Sequence, residues 1–369
     1  MKKRNILVML LCIISMLYGL SGTYPYAAAK SRSGYKRKEL ELYRKDKNGE
    51  RVSVASERMR LNYNKKDKLC VLYSQSYYLS SGDEVYKEYI RSWSSKGKAS
   101  DRMQKFDKKI ESIPYLGDAK ISDNGTIFAI RWNWINSNDK RKMRPMVRLN
   151  VFNRKGKMMS NLRLDKATSF FDPGPLNSVG ERSDFYEIND FEINGKYIDI
   201  IFARTDDEDF DESGRYSLQR FNWKTGELVS CFELLRPCQR LCEGYPYGTD
   251  MNSFYKYSKD GSKCLWESTL PKGKAGIRRR LRYYIKQDYD VIKGKLFYSN
   301  INGVYMLDTQ ENNSIPKKLI TVKDCPELGQ GLTSVMDLVA VNENHFYLLI
   351  TYEVGGAADI LYQYRKKND

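Results

Sequence analysis

Histidine is almost absent from this chain: His345 is the only one in 369 residues. A Ser-His-Asp relay would depend on that single side chain. A zinc site around Cys238 and Cys242 would need a histidine close in sequence, and His345 stands about a hundred residues away. Missing too are a Gly-x-Ser-x-Gly elbow, a Walker loop and a His-Glu-x-x-His pair, so the hydrolase, nucleotide and zinc-peptidase templates do not apply. Gly329-Gln-Gly331 lacks the third glycine and the strand-to-helix setting of a dinucleotide site. Long apolar runs are scarce, and a mean hydropathy of −0.64 excludes a multi-span membrane protein.

What is present is aromatic and basic. A hydrophobic fraction of 41% with 28 Tyr and 5 Trp excludes a low-complexity polymer, and the length allows one large closed core. The first residues carry Lys2, Lys3 and Arg4, an apolar run from Ile6 to Leu20, then Pro25 and Ala27-Ala28-Ala29. Cationic start, apolar middle and small-residue end describe a secretory signal peptide over 1–29, cut before Lys30, with residues 30–369 as one mature domain. The run falls short of the ~20 residues that span a bilayer comfortably. Cys12 sits in its middle, where a lipobox cysteine does not. The expected location is therefore secreted or extracytoplasmic, in the cell envelope.

Cleavage at that point removes three basic and no acidic residues, leaving 60 Lys and Arg against 46 Asp and Glu, a net charge of +14. Outside the cytoplasm such a balance favours an anionic polysaccharide, a phosphate-containing wall polymer or anionic lipid over nucleic acid. Six cysteines remain, Cys70, Cys231, Cys238, Cys242, Cys264 and Cys325. An even number in an exported chain permits disulfides, and Cys238 with Cys242 beside Pro237 is the pair that a local bridge would join.

The organisation lies in recurring hairpins. Asn124-Gly125 precedes an alternating strand at Thr126–Ile130, and the arrangement returns at Asn194-Gly195, Asp260-Gly261, Lys293-Gly294 and Asn342–Asn344. Asn-Gly and Asp-Gly supply the positive φ that tight hairpins need. A second type, aromatic on the incoming strand and Gly in the turn, occurs at Leu42–Glu50, Arg91–Lys98, Val151–Lys157 and Arg220–Glu227. Together they define units of four antiparallel strands, A to D, with cores beginning near Met59, Gly117, Tyr186, Ser253, Asp288 and Val335.

Four-stranded units repeated around an axis make a β-propeller, an all-β fold here of about six blades. The Ser122-Asp-Asn-Gly and Ser258-Lys-Asp-Gly stretches resemble the Ser-x-Asp-Gly turns of TolB-like and related bacterial propeller repeats. That resemblance covers short turns only and implies the superfamily, with ligands on the face shared by the B–C and D–A loops. The last unit ends at strand C, Ile360 to Arg365, while the hairpin from Glu39 to Ser56 reads as late strands without their early ones. The two termini are thus expected to complete one blade and close the ring.

Three loops assigned to the B–C position carry charge. One holds Trp132, Trp134, Arg141 and Arg144, another Asp207, Asp209 and Asp211, and a third Arg278 and Arg280, with Tyr77 and Tyr78 on the first unit. Arginine forks match phosphate and carboxylate, and aromatic faces pack on sugar rings, so Tyr77, Trp134, Arg141, Arg144, Arg278 and Arg280 form a candidate anionic-glycan surface. Asp207, Asp209 and Asp211 have the spacing that begins many calcium loops, but Glu212 stands where the turn glycine belongs and Leu218 where the twelfth-position Glu belongs. Calcium is the one cofactor that this spacing admits, and the pattern argues against it. Tyr73, Phe128, Phe202, Trp223, Tyr298 and Phe346 recur on strands and are expected in the core. The functional expectation is a non-enzymatic binding propeller for an anionic envelope polymer, glycan or surface protein. A carbohydrate-active enzyme using the acidic-loop carboxylates and a scaffold for protein assembly are the alternatives.

Overall fold

The computed structural model describes residues 34–367 apart from 43, 46–50, 53–60, 66–67, 79–83, 95, 104–115, 136–143, 168–169, 171–184, 206–214, 251–252, 270–288, 301, 313, 330–332 and 353–359. The expected signal peptide, 1–29, lies outside these residues. β1 (Tyr35–Leu40) is followed by a short hairpin, β2 (Arg44–Lys45) and β3 (Arg51–Val52). Six four-stranded antiparallel sheets then follow one another along the chain. Blade 1 comprises β4 (Leu61–Asn64), β5 (Lys68–Tyr78), β6 (Glu84–Trp93) and β7 (Ala99–Met103). Blade 2 comprises β8 (Leu116–Ile121), β9 (Ile127–Ile135), β10 (Arg144–Phe152) and β11 (Met158–Arg163). Blade 3 contains β12 (Phe185–Asn194), β13 (Tyr197–Thr205), β14 (Arg215–Asn222) and β15 (Leu228–Leu234). Blade 4 contains β16 (Arg240–Cys242), β17 (Tyr245–Thr249), β18 (Ser253–Tyr257) and β19 (Cys264–Thr269). Blade 5 is β20 (Tyr289–Ile292), β21 (Lys295–Asn300), β22 (Gly303–Asp308) and β23 (Lys317–Thr321). Blade 6 is β24 (Thr333–Asn342), β25 (His345–Tyr352) and β26 (Ile360–Lys366), completed on its outside by β1.

The innermost strands β4, β8, β12, β16, β20 and β24 touch in cyclic order, and β24 returns to β4, so the molecule is a closed six-bladed β-propeller. Its sequence patterns follow from position in the blade. Middle strands lie between two neighbouring sheets and bury both faces, as in the unbroken run Ile127-Phe128-Ala129-Ile130, all 2% exposed or less. Outer strands alternate: on β19 Trp266 and Ser268 are buried while Leu265, Glu267 and Thr269 are exposed. One apolar cluster fills each of the six interfaces. Phe128 and Leu149 of blade 2 meet Phe191 and Phe202 of blade 3, for example, and Tyr247 and Phe254 of blade 4 meet Tyr289 and Tyr298 of blade 5. Each fully buried aromatic or Leu contributes about 1.5–3 kcal/mol. Of the aromatics expected in the core, Phe128, Phe202, Tyr298 and Phe346 are buried. Trp223 is half-buried, edge-on to Phe128 at 5.4 Å.

Two expectations need correction. The unit starting near Ser253 is out of phase, because Ser253 opens strand C of a blade that begins at Arg240. Its A–B turn is Glu243-Gly244, both in left-handed backbone at φ 54° and 77°. Asp260-Gly261 is accordingly a C–D turn. Closure is achieved by β1 alone, pairing Tyr35–Leu40 with Lys366–Leu361, whereas the hairpin within 39–56 contributes no second strand to blade 6. The six cysteines of the described residues are all unbridged: Cys238 is buried between blades 3 and 4, and the Cys242 thiol donates to the Val291 carbonyl at 2.6 Å.

Around the axis, aspartates on four of the six inner strands bond within their own blades and to neighbouring ones. Single-residue bulges precede Asp118, Asp190 and Asp337. Asp118, Asp190 and Asp290 each accept the N–H of the residue that follows, at 2.7–2.9 Å. The second oxygen of Asp190 accepts from Leu241 N–H (2.7 Å), that of Asp290 from Ala340 N–H (2.8 Å), and an oxygen of Asp337 from Leu61 N–H (2.6 Å). Two cations balance this ring. Lys120 Nζ lies 2.7 Å from Asp190, and Arg240 reaches Asp337 at 3.0 Å while its Nε donates to the Tyr289 carbonyl. Burial opposes the charge on Arg240, but Asp337, Asp190 and Asp290 outweigh it and hold its pKa above the ordinary value. Burial also pushes the Asp290 carboxyl up, with Arg240 acting against the rise.

Candidate functional site

Ring closure creates a cleft where blade 6 meets blade 1, on the face of the A–B and C–D turns. Lys36 comes from β1, Arg365 and Lys366 from the end of β26, and Lys367 from the residue beyond; Lys68 and Tyr63 come from blade 1. Trp93, Ser94, Asn342, Asn344, His345 and Tyr347 complete the lining of a cavity of about 630 Å³. Five basic residues thus line the space, and no acidic residue is among its described lining residues. Lys36, Lys68, Arg365, Lys366 and Lys367 are exposed.

The floor is aromatic and neutral. Trp93 is buried, its indole N–H donating to the Glu41 carbonyl at 2.9 Å. Tyr347 is buried beneath Tyr63 and His345, at centroid distances of 6.3 and 4.8 Å. The Gln363 amide nitrogen lies 3.0 Å from both His345 Nε2 and the Tyr347 hydroxyl, so Nε2 accepts and the proton resides on Nδ1. Burial, and then the nearby Arg365, lower the His345 pKa to about 4. His345 is therefore uncharged near neutrality. The sequence places it as an ordinary surface histidine beside a turn. In the fold it opens β25, half-buried at the bottom of the cleft.

Lys68 and the seam itself show how the chain builds this place. Lys68 has φ 62°, a left-handed conformation that costs a non-glycine residue about 1–3 kcal/mol, and its Nζ donates to the Lys65 carbonyl at 3.0 Å. On β1, Arg37 is anchored by Glu327, at 3.1 and 3.3 Å to its two oxygens, and covers the Tyr362 ring at 4.7 Å. Glu327 also accepts from the Tyr362 hydroxyl at 2.7 Å. Tyr35 donates its phenol to the Glu343 carbonyl at 2.5 Å, and burial, with help from Glu343, raises that phenol's pKa to about 12. The strand that closes the ring therefore also supplies one wall of the cleft.

The residues singled out from sequence lie on other connections. Tyr77, Trp134 and Arg144 fall on β5, β9 and β10, at the ends that lead into B–C connections, with side chains outside those described. Arg141, Arg278 and Arg280, and the calcium candidates Asp207, Asp209 and Asp211, lie outside the described residues. Arg278 and Arg280 stand between β19 and β20, which makes their connection D–A rather than B–C, on the same side of the ring. No group of three His, Cys, Asp or Glu among the described residues is arranged to hold a metal ion. Sequence reasoning missed the cleft because its residues are spread from 36 to 367. The signal that pointed toward it was the expected meeting of the termini.

Fold and site together define a six-bladed propeller closed by its N-terminal strand, with a cationic aromatic cleft on the closing seam. The chain is similar to the apo soluble aldose sugar dehydrogenase of Escherichia coli, at 10% identity and TM-score 0.44 over 90% of this chain and 99% of that one. It is similar at 10% identity and TM-score 0.46, with the same coverage, to a Dyadobacter fermentans protein of unknown function. It also resembles BamB from Moraxella catarrhalis, at 13% identity and TM-score 0.37, over 83% of this chain and 84% of that one. At these identities the likeness concerns the fold alone. No protein-family model matches the chain, and no curated protein does. No helix among the described residues is long and apolar enough to cross a membrane.

Proposed function

We propose that this chain is an exported, non-enzymatic binding propeller for an anionic polymer or glycan of the cell envelope, seated in the cleft on the closing seam. The observation that carries this reading is the cleft's chemistry: five basic residues, an aromatic floor and no acidic residue among the described lining residues. Cations at the rim attract and pair with the anion, while Tyr63 and the neutral imidazole below offer stacking to uncharged rings. The loop face of Tyr77, Trp134, Arg141, Arg144, Arg278 and Arg280 is proposed as a second contact for a polymer long enough to reach it. The net charge of +14 on 30–369 supports the same class of partner at both places.

The test is binding of purified 30–369 to acidic and neutral glycans and wall polymers at two salt concentrations, with product analysis of every hit. Salt-sensitive binding to acidic ligands without turnover is expected, weakened about tenfold or more in K36S/R365Q. Equal binding to neutral and acidic ligands would refute the reading. Turnover would move the assignment to a carbohydrate-active enzyme, and binding to surface proteins alone would move it to a scaffold.

A further inference from the structure

The closing seam violates a rule that the rest of it obeys. In the β1–β26 ladder Lys36 stands directly opposite Arg365, and Lys366 opposite Tyr35. Like charges directly opposite each other on paired strands destabilise the pair. Lys68 and Lys367 add charge from blade 1 and from the chain's last described residue, whose N–H donates to Gly34 at 2.6 Å. One register position away the same ladder is well matched, with Arg37 on Glu327 and over Tyr362. A local conflict retained beside good local solutions marks a place where something else completes the structure.

Resting on the reading that the cleft binds an anion, we propose that it takes a phosphate ester between Lys36 and Arg365 and that this ligand clasps the propeller shut. A phosphate monoester carries about −1.5 to −2 charge near neutrality and three strong acceptor oxygens, enough to reach both opposed cations at once, whereas one carboxylate carries a single charge. Successive phosphodiesters of a polyol- or sugar-phosphate chain supply the same charge over a longer reach. Four of the five cations are lysines, which act as separate point charges rather than as forks matched to a planar carboxylate. The uncharged floor of Tyr63, His345 and Tyr347 suits the polyol or sugar that carries the phosphate.

Coupling to closure follows from where the cations sit. Lys36 is on the first strand of the ring, Arg365 on the last, and Lys68 on the blade beyond, so they converge only when the ring is closed. A ligand that binds only this state lowers the population of the opened seam by the factor 1 + [L]/Kd, about 100-fold at a ligand concentration 100 times Kd.

The experiment is hydrogen exchange by mass spectrometry on 30–369 at matched ionic strength, with affinities measured in parallel. The probes are a glycerol-phosphate oligomer, a sugar monophosphate, inorganic phosphate and a glucuronate oligomer. The phosphate probes should slow exchange at Tyr35–Leu40 and Leu361–Lys366 by one to two orders of magnitude more than elsewhere, and the glucuronate should not. The oligomer exceeding the monophosphate would indicate a polymer, and the reverse a terminal phosphate; inorganic phosphate acting alone would assign the effect to the phosphate group. K36S should be more stable than the parent without ligand, by relief of repulsion, yet lose the phosphate-dependent protection, with R365Q as the second variant. Phosphate binding without protection of the seam, equal protection by glucuronate, or protection that survives in both variants overturns this inference while leaving anion binding intact. No binding by any acidic probe overturns the underlying reading instead.

Discussion

Removing the Arg240 side chain tests the account of the axis most directly. Arg240 is 7% exposed, 3.0 Å from Asp337, and donates to the Tyr289 carbonyl at 2.9 Å, with Asp190 and Asp290 close enough to act on its charge. In R240M the methylene stem remains, but Asp337 and its neighbours lose their principal buried counter-charge. Breaking one partner of a buried pair costs about 3–5 kcal/mol, against about 1 kcal/mol for an exposed one. At roughly 2 °C per kcal/mol for a chain of this size, the melting temperature should fall by about 6–10 °C. D337N should cost a similar amount, because it strands Arg240 and weakens the acceptor for Leu61 N–H that ties blade 6 to blade 1. The double variant R240M/D337N should recover about 1–3 kcal/mol relative to the sum of the two. Urea unfolding of all four proteins gives the cycle. Single variants that each lose less than about 1 kcal/mol, or that add without coupling, would refute the claim that this pair anchors the ring across its axis.

Three further outcomes are expected. E327Q should cost roughly 1.5–3 kcal/mol by uncharging the acceptor of Arg37 and Tyr362, with faster proteolysis near Tyr35–Leu40; unchanged cleavage there would separate Glu327 from ring closure. G303A should cost roughly 1–3 kcal/mol, since Gly303 has φ 144° and a Cβ there would collide with the Ile320 carbonyl oxygen, whereas G34A, with open space around it, should be neutral; chemical denaturation of the two compares them. His345 should titrate near pH 4 by NMR rather than near 6.5. Because the unfolded chain takes up that proton first, stability falls as pH drops from about 6.5 to about 4 and is unaffected by His345 above that window; a titration near 6.5 would contradict its burial against Gln363.

The fold was legible where local chemistry and position in the blade coincide. Asn124-Gly125, Asn194-Gly195 and Lys293-Gly294 mark true A–B turns, with positive φ at each glycine, and the missing last strand of blade 6 announced a terminal closure. Phase was lost at blade 4 for a physical reason. Ser122 and Ser258 build the same turn, the glycine N–H donating to the serine carbonyl at 2.8 Å in both, yet one joins strands A and B and the other C and D. A turn reports the hairpin it closes and carries no information about which edge of a sheet that hairpin occupies. The true A–B turn of that blade, Glu243-Gly244, is flanked by strands of only three and five residues, too short for alternation to stand out. The axial aspartates could have been read. Asp118, Asp190, Asp290 and Asp337 each stand on an inner strand beside an apolar residue, Asp118, Asp190 and Asp337 are buried, and a buried carboxylate must have partners. The cleft had no comparable signal, because its cations become neighbours only after six blades have turned the chain back on itself. Charge clustered along the chain drew attention to loop tips, while charge clustered in space arose at the seam. In a closed ring the first and last strands are farthest apart in sequence and are bound to meet, so the charges they carry are the first place to look for a ligand.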